Sequence, residues 1–310
     1  MNRILALLVS VFLPVIFNAQ KIVSEALDLK NGAIGLPGTL TYPKSVDNVP
    51  LAIFVHGSGN IDRNGNQVGL GVQANYIKTL GDSLNAHGIA FYRFDKRTAT
   101  PSNLDKLQNV TIEDFAEDVK VAIAHFAHDN RFSSISLIGH SQGALVAMLA
   151  ITNDVGRYIS IAGAGETIDK TVIGQINKQS ADLAAIAQNH FNELEQTDTI
   201  VNVNLMLLQL FAPQNQKFFK HWMMIDPTVE IKKLKVPILI LNGDSDLQVQ
   251  VTDAELLKEA RPDANLYIIP RMNHVLKEVH SITENKKSYT EENIPLSSLL
   301  VAHLTDFIKI

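Results

Sequence analysis

The sequence predicts an α/β protein: a mostly parallel central sheet flanked by helices, with an inserted helical cap. Three observations predict it. Short apolar runs alternate with longer helical patterns through most of the chain. One run, residues 51–55 (LAIFV), is continuously apolar, as in a strand covered on both faces. Between 164 and 227 the alternation stops, and a stretch rich in Leu, Met, Phe and Gln holds no strand-like run.

The elements follow in order. Residues 24–29 and 38–42 are expected to pair as an opening β-hairpin, with Asn31 and Gly32 in its turn. Strand 51–55 comes next, then a helix over 76–86 that stops near Gly88. After strand 89–94, residues 111–127 read as a helix, because Ile112, Phe115, Val119, Ala122 and Phe126 share one face. Strand 135–138, helix 142–151 and strand 158–162 precede the interruption. Strand 236–241, helix 252–260, strand 265–269 and a last helix within 295–310 follow it. The late strands must join the early ones, so one core is expected, built from 20–163 and 229–310 with the cap at 164–228.

Bulk properties narrow the function. The chain has 310 residues, no cysteine and a net charge of −5. A mildly acidic chain without a basic block has no electrostatic means of holding nucleic acid or an anionic membrane surface. The lack of cysteine excludes disulfides, thiolate metal sites, a cysteine nucleophile and a lipid-modified N-terminal cysteine. Arg3 followed by an apolar stretch over 4–17 predicts a signal peptide, residues 1–19, cleaved after Ala19. Phe17 at the −3 position is larger than such sites prefer, so an adjacent bond is open. An uncleaved anchor is the competing reading, but the stretch is short for a span and contains Pro14. The mature protein is then expected in the periplasm or outside the cell, with no stable membrane insertion.

Gly139-His140-Ser141-Gln142-Gly143 lies between an expected strand and an expected helix. A serine hydroxyl is a poor nucleophile until it is exposed, oriented and given a base. A tight strand-to-helix turn exposes it, and the glycines let backbones approach closely. The helix N-terminus leaves the N–H of Gln142 free beside the reacting carbon. A glycine-lined structural turn is the bland alternative.

From about Leu40 to the C-terminus the chain resembles the α/β-hydrolase superfamily. It is most similar to exported bacterial members with an HGSG segment followed by an Asp-Arg pair, here His56-Gly57-Ser58-Gly59-Asn60-Ile61-Asp62-Arg63. The resemblance implies that Ser141 is the nucleophile and that the backbone N–H of Ser58 is the second oxyanion donor, with Gly59 as second choice. It implies an acid three residues after a glycine that ends a later strand. In Asn242-Gly243-Asp244-Ser245-Asp246 this selects Asp246, with Asp244 as competitor. Chain order then leaves His274, His280 and His303 as candidate bases, and the loop position favours His274. Asp62 and Arg63 are expected to pair with each other or to brace their loop. Relatives often continue the segment Asp95-Lys96-Arg97 with a glycine-rich turn, whereas this chain has Thr98-Ala99-Thr100.

The implied chemistry is acyl transfer through a Ser-His-Asp triad, without metal or cofactor. The leading expectation is a carboxylesterase acting on a small ester with an apolar part. Phe191, Leu205, Met206, Leu208, Phe211, Phe218, Phe219, Trp222 and Met223 of the cap are candidates to line an acyl pocket. A serine peptidase, aminopeptidase-like, is the alternative. It would need a carboxylate for a free amino terminus, from among Glu166, Glu193, Glu195 and Asp226. A binding protein without activity is a third reading, disfavoured because it would have no need of all three triad residues. Oligomeric state is left open.

Overall fold

The structure, a computed structural model, describes residues 21–44, 48–67, 69 and 71–310. The expected signal peptide lies outside the described residues.

The strands are β1 (Ile22–Asn31), β2 (Ile34–Pro43), β3 (Val49–Val55), β4 (Asn66–Gln67), β5 (Val72–Gln73), β6 (Ala90–Phe94), β7 (Phe132–His140), β8 (Val155–Ile161), β9 (Ile238–Gly243) and β10 (Asn265–Ile269). The helices are α1 (Tyr76–Ala86), α2 (Ile112–Phe126), α3 (Gln142–Ala150), α4 (Ile168–Asn177), α5 (Ala181–Thr197), α6 (Leu208–Phe211), α7 (Pro213–Met223), α8 (Pro227–Lys233), α9 (Val251–Ala260), α10 (Ile282–Lys287) and α11 (Ser298–Lys309). Eight strands form one sheet in the order β1-β2-β6-β3-β7-β8-β9-β10. Strand β2 is antiparallel to β1 and β6, and every other neighbouring pair is parallel. The mostly parallel sheet expected from the sequence is therefore present.

Side-chain alternation explains why the central strands are apolar throughout. In β3, Leu51, Ile53 and Val55 join one core, while Ala52 and Phe54 join the other. Strand β9 divides in the same way, with Ile238 and Ile240 on one side and Leu239 and Leu241 on the other. One core holds α2, α3 and α9. The other holds the apolar stripes of α1 (Ile77, Leu80, Leu84) and α11 (Leu300, Leu304, Ile308). A strand buried on both faces has no polar side to show, so its period-2 signal disappears.

Local chemistry sets the helix boundaries. Thr111 and Asp114 close a capping box at the start of α2, and Gln250 and Asp253 close one on α9. Helix α1 ends before Gly88, whose φ of 79° suits glycine. Helix α3 is apolar on every side, and all but Leu149 of its nine residues are buried. It lies between the sheet and the helices that follow β8, so it has no solvent face to mark with polar residues.

Between β8 and β9 the chain forms only helices, α4 to α8, with a short 3₁₀ turn at Leu205–Leu207. Their buried side chains Phe191, Phe211, Phe219 and Trp222 belong to the same core as α2 and α3. The sequence expectations missed three pieces: the two-residue ribbon β4–β5, the 3₁₀ turn Pro101–Lys106 and α10. All three are short and lie in connecting segments.

Candidate active site

Strand β7 delivers Ser141 to the edge of the sheet, and α3 begins immediately after it. Ser141 has φ 55° and ψ −124°, a conformation that costs a non-glycine residue about 1–3 kcal/mol. The neighbouring glycines make the turn possible. A Cβ on Gly139 would lie 2.4 Å from the Gly143 carbonyl oxygen. A Cβ on Gly143 would lie 2.1 Å from the Val55 oxygen. A side chain at Gly139 would push α3 off β7, and one at Gly143 would push it off the end of β3. The Ser141 N–H donates to the Ile161 carbonyl at 2.9 Å, so β8 holds the turn from the other side.

His274 sits in the loop after β10. Its Nδ1 donates to Asp246 Oδ2 at 2.7 Å, and both residues are buried. The other oxygen of Asp246 accepts the backbone N–H groups of Gln248 (2.7 Å) and Val249 (3.0 Å). Burial works to raise the Asp246 pKa. The histidine and the two N–H groups outweigh it, and the carboxyl titrates below its ordinary value. Gly243 brings the two loops together, since a Cβ there would lie 1.9 Å from the Met272 carbonyl oxygen.

The competitors lie elsewhere. Asp244 is exposed and accepts the Arg271 N–H at 2.6 Å. His280 is exposed beside Glu278, and His303 stacks on Tyr267 with centroids 4.0 Å apart. None of the three touches the His274–Asp246 pair.

Ser141, His274, Gln142 and the segment Gly57-Ser58-Gly59 all line one cavity of about 1000 Å³. Gly57 packs against the elbow, where an added Cβ would lie 3.2 Å from Ser141 Cβ. His56 anchors that segment by donating Nε2–H to the Phe94 carbonyl. Burial lowers the His56 pKa to about 4, so the ring is neutral at ordinary pH.

Several functional neighbours escaped the sequence reading. His140 donates Nε2–H to the His274 carbonyl at 2.8 Å, fixing the backbone of the candidate base. Burial, followed by the neighbouring His274, lowers its pKa to about 3. Lys96, at the end of β6, is buried and donates to the Gly57 carbonyl and to Gln142 Oε1, both at 2.7 Å. Burial depresses its pKa to about 7. Gln67 donates to the Ser58 carbonyl at 3.0 Å, and Asn273 braces the histidine loop through Asn285 and Ser288. Lys96 lies between Asp95 and Arg97 just past β6, and His140 ends β7, so neither position marks its long-range partner in the sequence.

The expected Asp62–Arg63 pair does not form. Arg63 instead grips Asp95 with two side-chain bonds of 2.9 and 2.7 Å, while Asp62 accepts the N–H groups of Asn64 and Asn66. Their loop is braced, but against the end of β6. Of the cap residues named as pocket candidates, Phe218, Phe219 and Trp222 line the cavity. Phe191 and Phe211 pack inside the cap, and Leu205 and Met206 are exposed. Glu166 lines the cavity, whereas Glu193 holds the Val201 N–H and Asp226 caps α8. Among the described residues, no group of three or more His, Asp or Glu is placed to hold a metal ion. None of their helices is long and apolar enough to cross a membrane.

The fold is that of the α/β hydrolases. A family model described as serine aminopeptidase, S33, matches residues 68–202. Esterase EstD of Thermotoga maritima is 29% identical over 252 residues, which cover 78% of this chain and 58% of that protein. The chain thus spans little more than half the length of that relative. Among solved structures, Est1E from Butyrivibrio proteoclasticus superposes with a TM-score of 0.58 at 18% identity, over 92% of this chain and 97% of that one. The Pyrococcus horikoshii acylaminoacyl peptidase gives 0.59 at 14% identity, over 94% of this chain and 42% of that one. Esterases and a peptidase share the architecture, so the fold does not choose between them.

Proposed function

We propose that this protein is a serine hydrolase that cleaves carboxylic esters through Ser141, His274 and Asp246. One observation carries the reading. A buried His274–Asp246 pair, bonded at 2.7 Å, opens onto the same cavity as a serine held in a strained strand-to-helix turn. With Nδ1 committed to Asp246, His274 keeps Nε2 to take the Ser141 proton. Ser141 then attacks the acyl carbon. The N–H groups of Gln142 and Ser58 receive the oxyanion, with Gly59 as the second choice for Ser58. His274 next protonates the leaving alcohol and activates the water that releases the acid. Asp246 fixes the imidazole tautomer and stabilises the imidazolium.

The cavity favours a small ester with an apolar part. Phe115, Phe218, Phe219 and Trp222 form one wall. The peptidase alternative draws on the serine aminopeptidase family match and on Glu166 as a cavity carboxylate. Lys96 and Lys217 also line the cavity and counter a site for a free ammonium group. A matched panel of acyl esters and aminoacyl amides tests the choice. Esters are expected to be cleaved faster, and faster cleavage of the amides would establish the peptidase. Ser141→Ala is expected to lower turnover by up to about 10⁶-fold. A fluorophosphonate should label the wild-type protein at Ser141.

Export belongs to the same proposal and rests on the sequence of residues 1–19. Expression of the full chain in a Gram-negative host should yield periplasmic protein whose mass begins at Gln20 or an adjacent residue. Full-length protein retained with the membrane would favour the anchor.

A further inference from the structure

Lys96 occupies an unusual position. Its side chain is buried, and its ammonium group touches three things: the Gly57 carbonyl (2.7 Å), Gln142 Oε1 (2.7 Å) and the face of Phe115, 4.4 Å from the ring centre. Among the described residues it has no carboxylate within ion-pair distance. The nearby Asp118 is bound by two bonds of 2.7 Å to Arg97 instead. An unpaired buried charge is costly, so a lysine placed only for stability would be poorly chosen.

The two hydrogen-bond partners explain the placement. Gly57 C=O and Ser58 N–H belong to one planar trans peptide and point in opposite directions. Holding the carbonyl from one side therefore aims the Ser58 N–H to the other. Gln142, the second partner, is the residue whose own N–H opens α3 beside Ser141. One ammonium group thus ties together the two segments whose N–H groups must converge.

We propose that Lys96 is a positioning residue that sets the oxyanion pocket by clamping the Gly57–Ser58 peptide and the Gln142 side chain to a single point. The inference rests on the serine-hydrolase reading given above and on Ser58 and Gln142 as the donors. A bond from a cation also polarises the peptide it binds, which strengthens Ser58 N–H as a donor when negative charge develops. Burial depresses the pKa of this amine to about 7. In either protonation state it keeps enough N–H groups for both acceptors.

The test separates transition-state stabilisation from binding and from folding. Lys96→Met and Gln142→Ala are compared with wild type on a p-nitrophenyl butyrate assay, with thermal midpoints measured alongside. Gln142→Ala removes the side-chain acceptor and keeps the backbone N–H. Lys96→Met is expected to lower kcat by about 10²-fold, with KM changed by less than about threefold. Inhibition by a trifluoromethyl ketone, which places an oxyanion in the pocket, should weaken in parallel. Gln142→Ala should lower kcat by about tenfold, the loss of one orienting bond. Wild-type kcat in both variants, or a loss confined to KM, overturns the proposal. If Lys96→Met does not fold, the kcat of Gln142→Ala decides alone. Fluorophosphonate labelling distinguishes the two levels. A wild-type protein labelled at Ser141, with unaffected variants, removes only the role of Lys96. A wild-type protein that is never labelled removes the serine-hydrolase reading and this role with it.

Discussion

Asp246 and Asp244 are two residues apart and chemically identical, yet their surroundings differ. Asp246 is buried against His274, whereas Asp244 is exposed and holds the Arg271 N–H. Asp246→Asn is therefore expected to lower kcat by about 10⁴-fold, because an amide cannot enforce the same imidazole tautomer. Asp244→Asn should leave kcat within about twofold, since an amide oxygen can still accept the Arg271 N–H. The reverse ranking in steady-state assays would move the acid to Asp244. Buried histidines also give the protein a pH signature. His56 and His140 titrate near 4 and 3 when folded, against an ordinary 6.5, with burial as the leading cause. The unfolded chain then takes up these protons before the folded chain does. Stability from the neutral rings is present above pH 6.5 and is lost as pH falls toward 4 for His56 and toward 3 for His140. Asp246, depressed below the carboxylate range, extends the loss to lower pH. Thermal midpoints measured from pH 7.5 down to 5 should fall; a flat or rising profile would contradict buried neutral histidines.

At the scale of elements, much of the fold was legible because each strand and helix carries its own pattern. Helix α1 and strand β10 match the expected bounds, and the long strands differ by up to four residues at their ends. What was not legible depends on contacts between distant segments. Strand β4 pairs with β5 over two residues each, too few to show a period. Lys96 and His140 bond to Gly57, Gln142 and His274, and nothing local in the chain announces those contacts. The same logic makes the loop glycines testable. Gly243 lets the end of β9 pass the Met272 carbonyl, and a methyl group there would have to displace backbone. Gly243→Ala should destabilise the protein by about 1–3 kcal/mol or more and separate the loops of Asp246 and His274. A lower thermal midpoint together with reduced kcat is the expected result. Unchanged values would show that the loops can part without consequence.

At the scale of the whole molecule, the cavity lies where the sheet edge meets the helices inserted between β8 and β9. The core side contributes Ser141, His274 and the polar loop around Ser58, while α7 contributes Phe218, Phe219 and Trp222. The division follows from chemistry. Reacting atoms need a rigid scaffold, and an apolar group needs only a wall that excludes water. Trp222 stacks on Phe219 with centroids 6.1 Å apart and packs near Phe218 at 5.5 Å, so it is a structural part of that wall. Trp222→Ala should open the wall without touching the elbow. Acetyl esters, with the smallest acyl group, should keep their kcat/KM within about threefold, while butyryl and benzoyl esters should lose about 10- to 100-fold, the range that a single methylene contributes in an apolar pocket. The loss should fall mainly on KM, because the apolar group is held equally in ground and transition states. Equal losses for acetyl and benzoyl esters would place the acyl group elsewhere in the cavity and return α7 to a purely structural role.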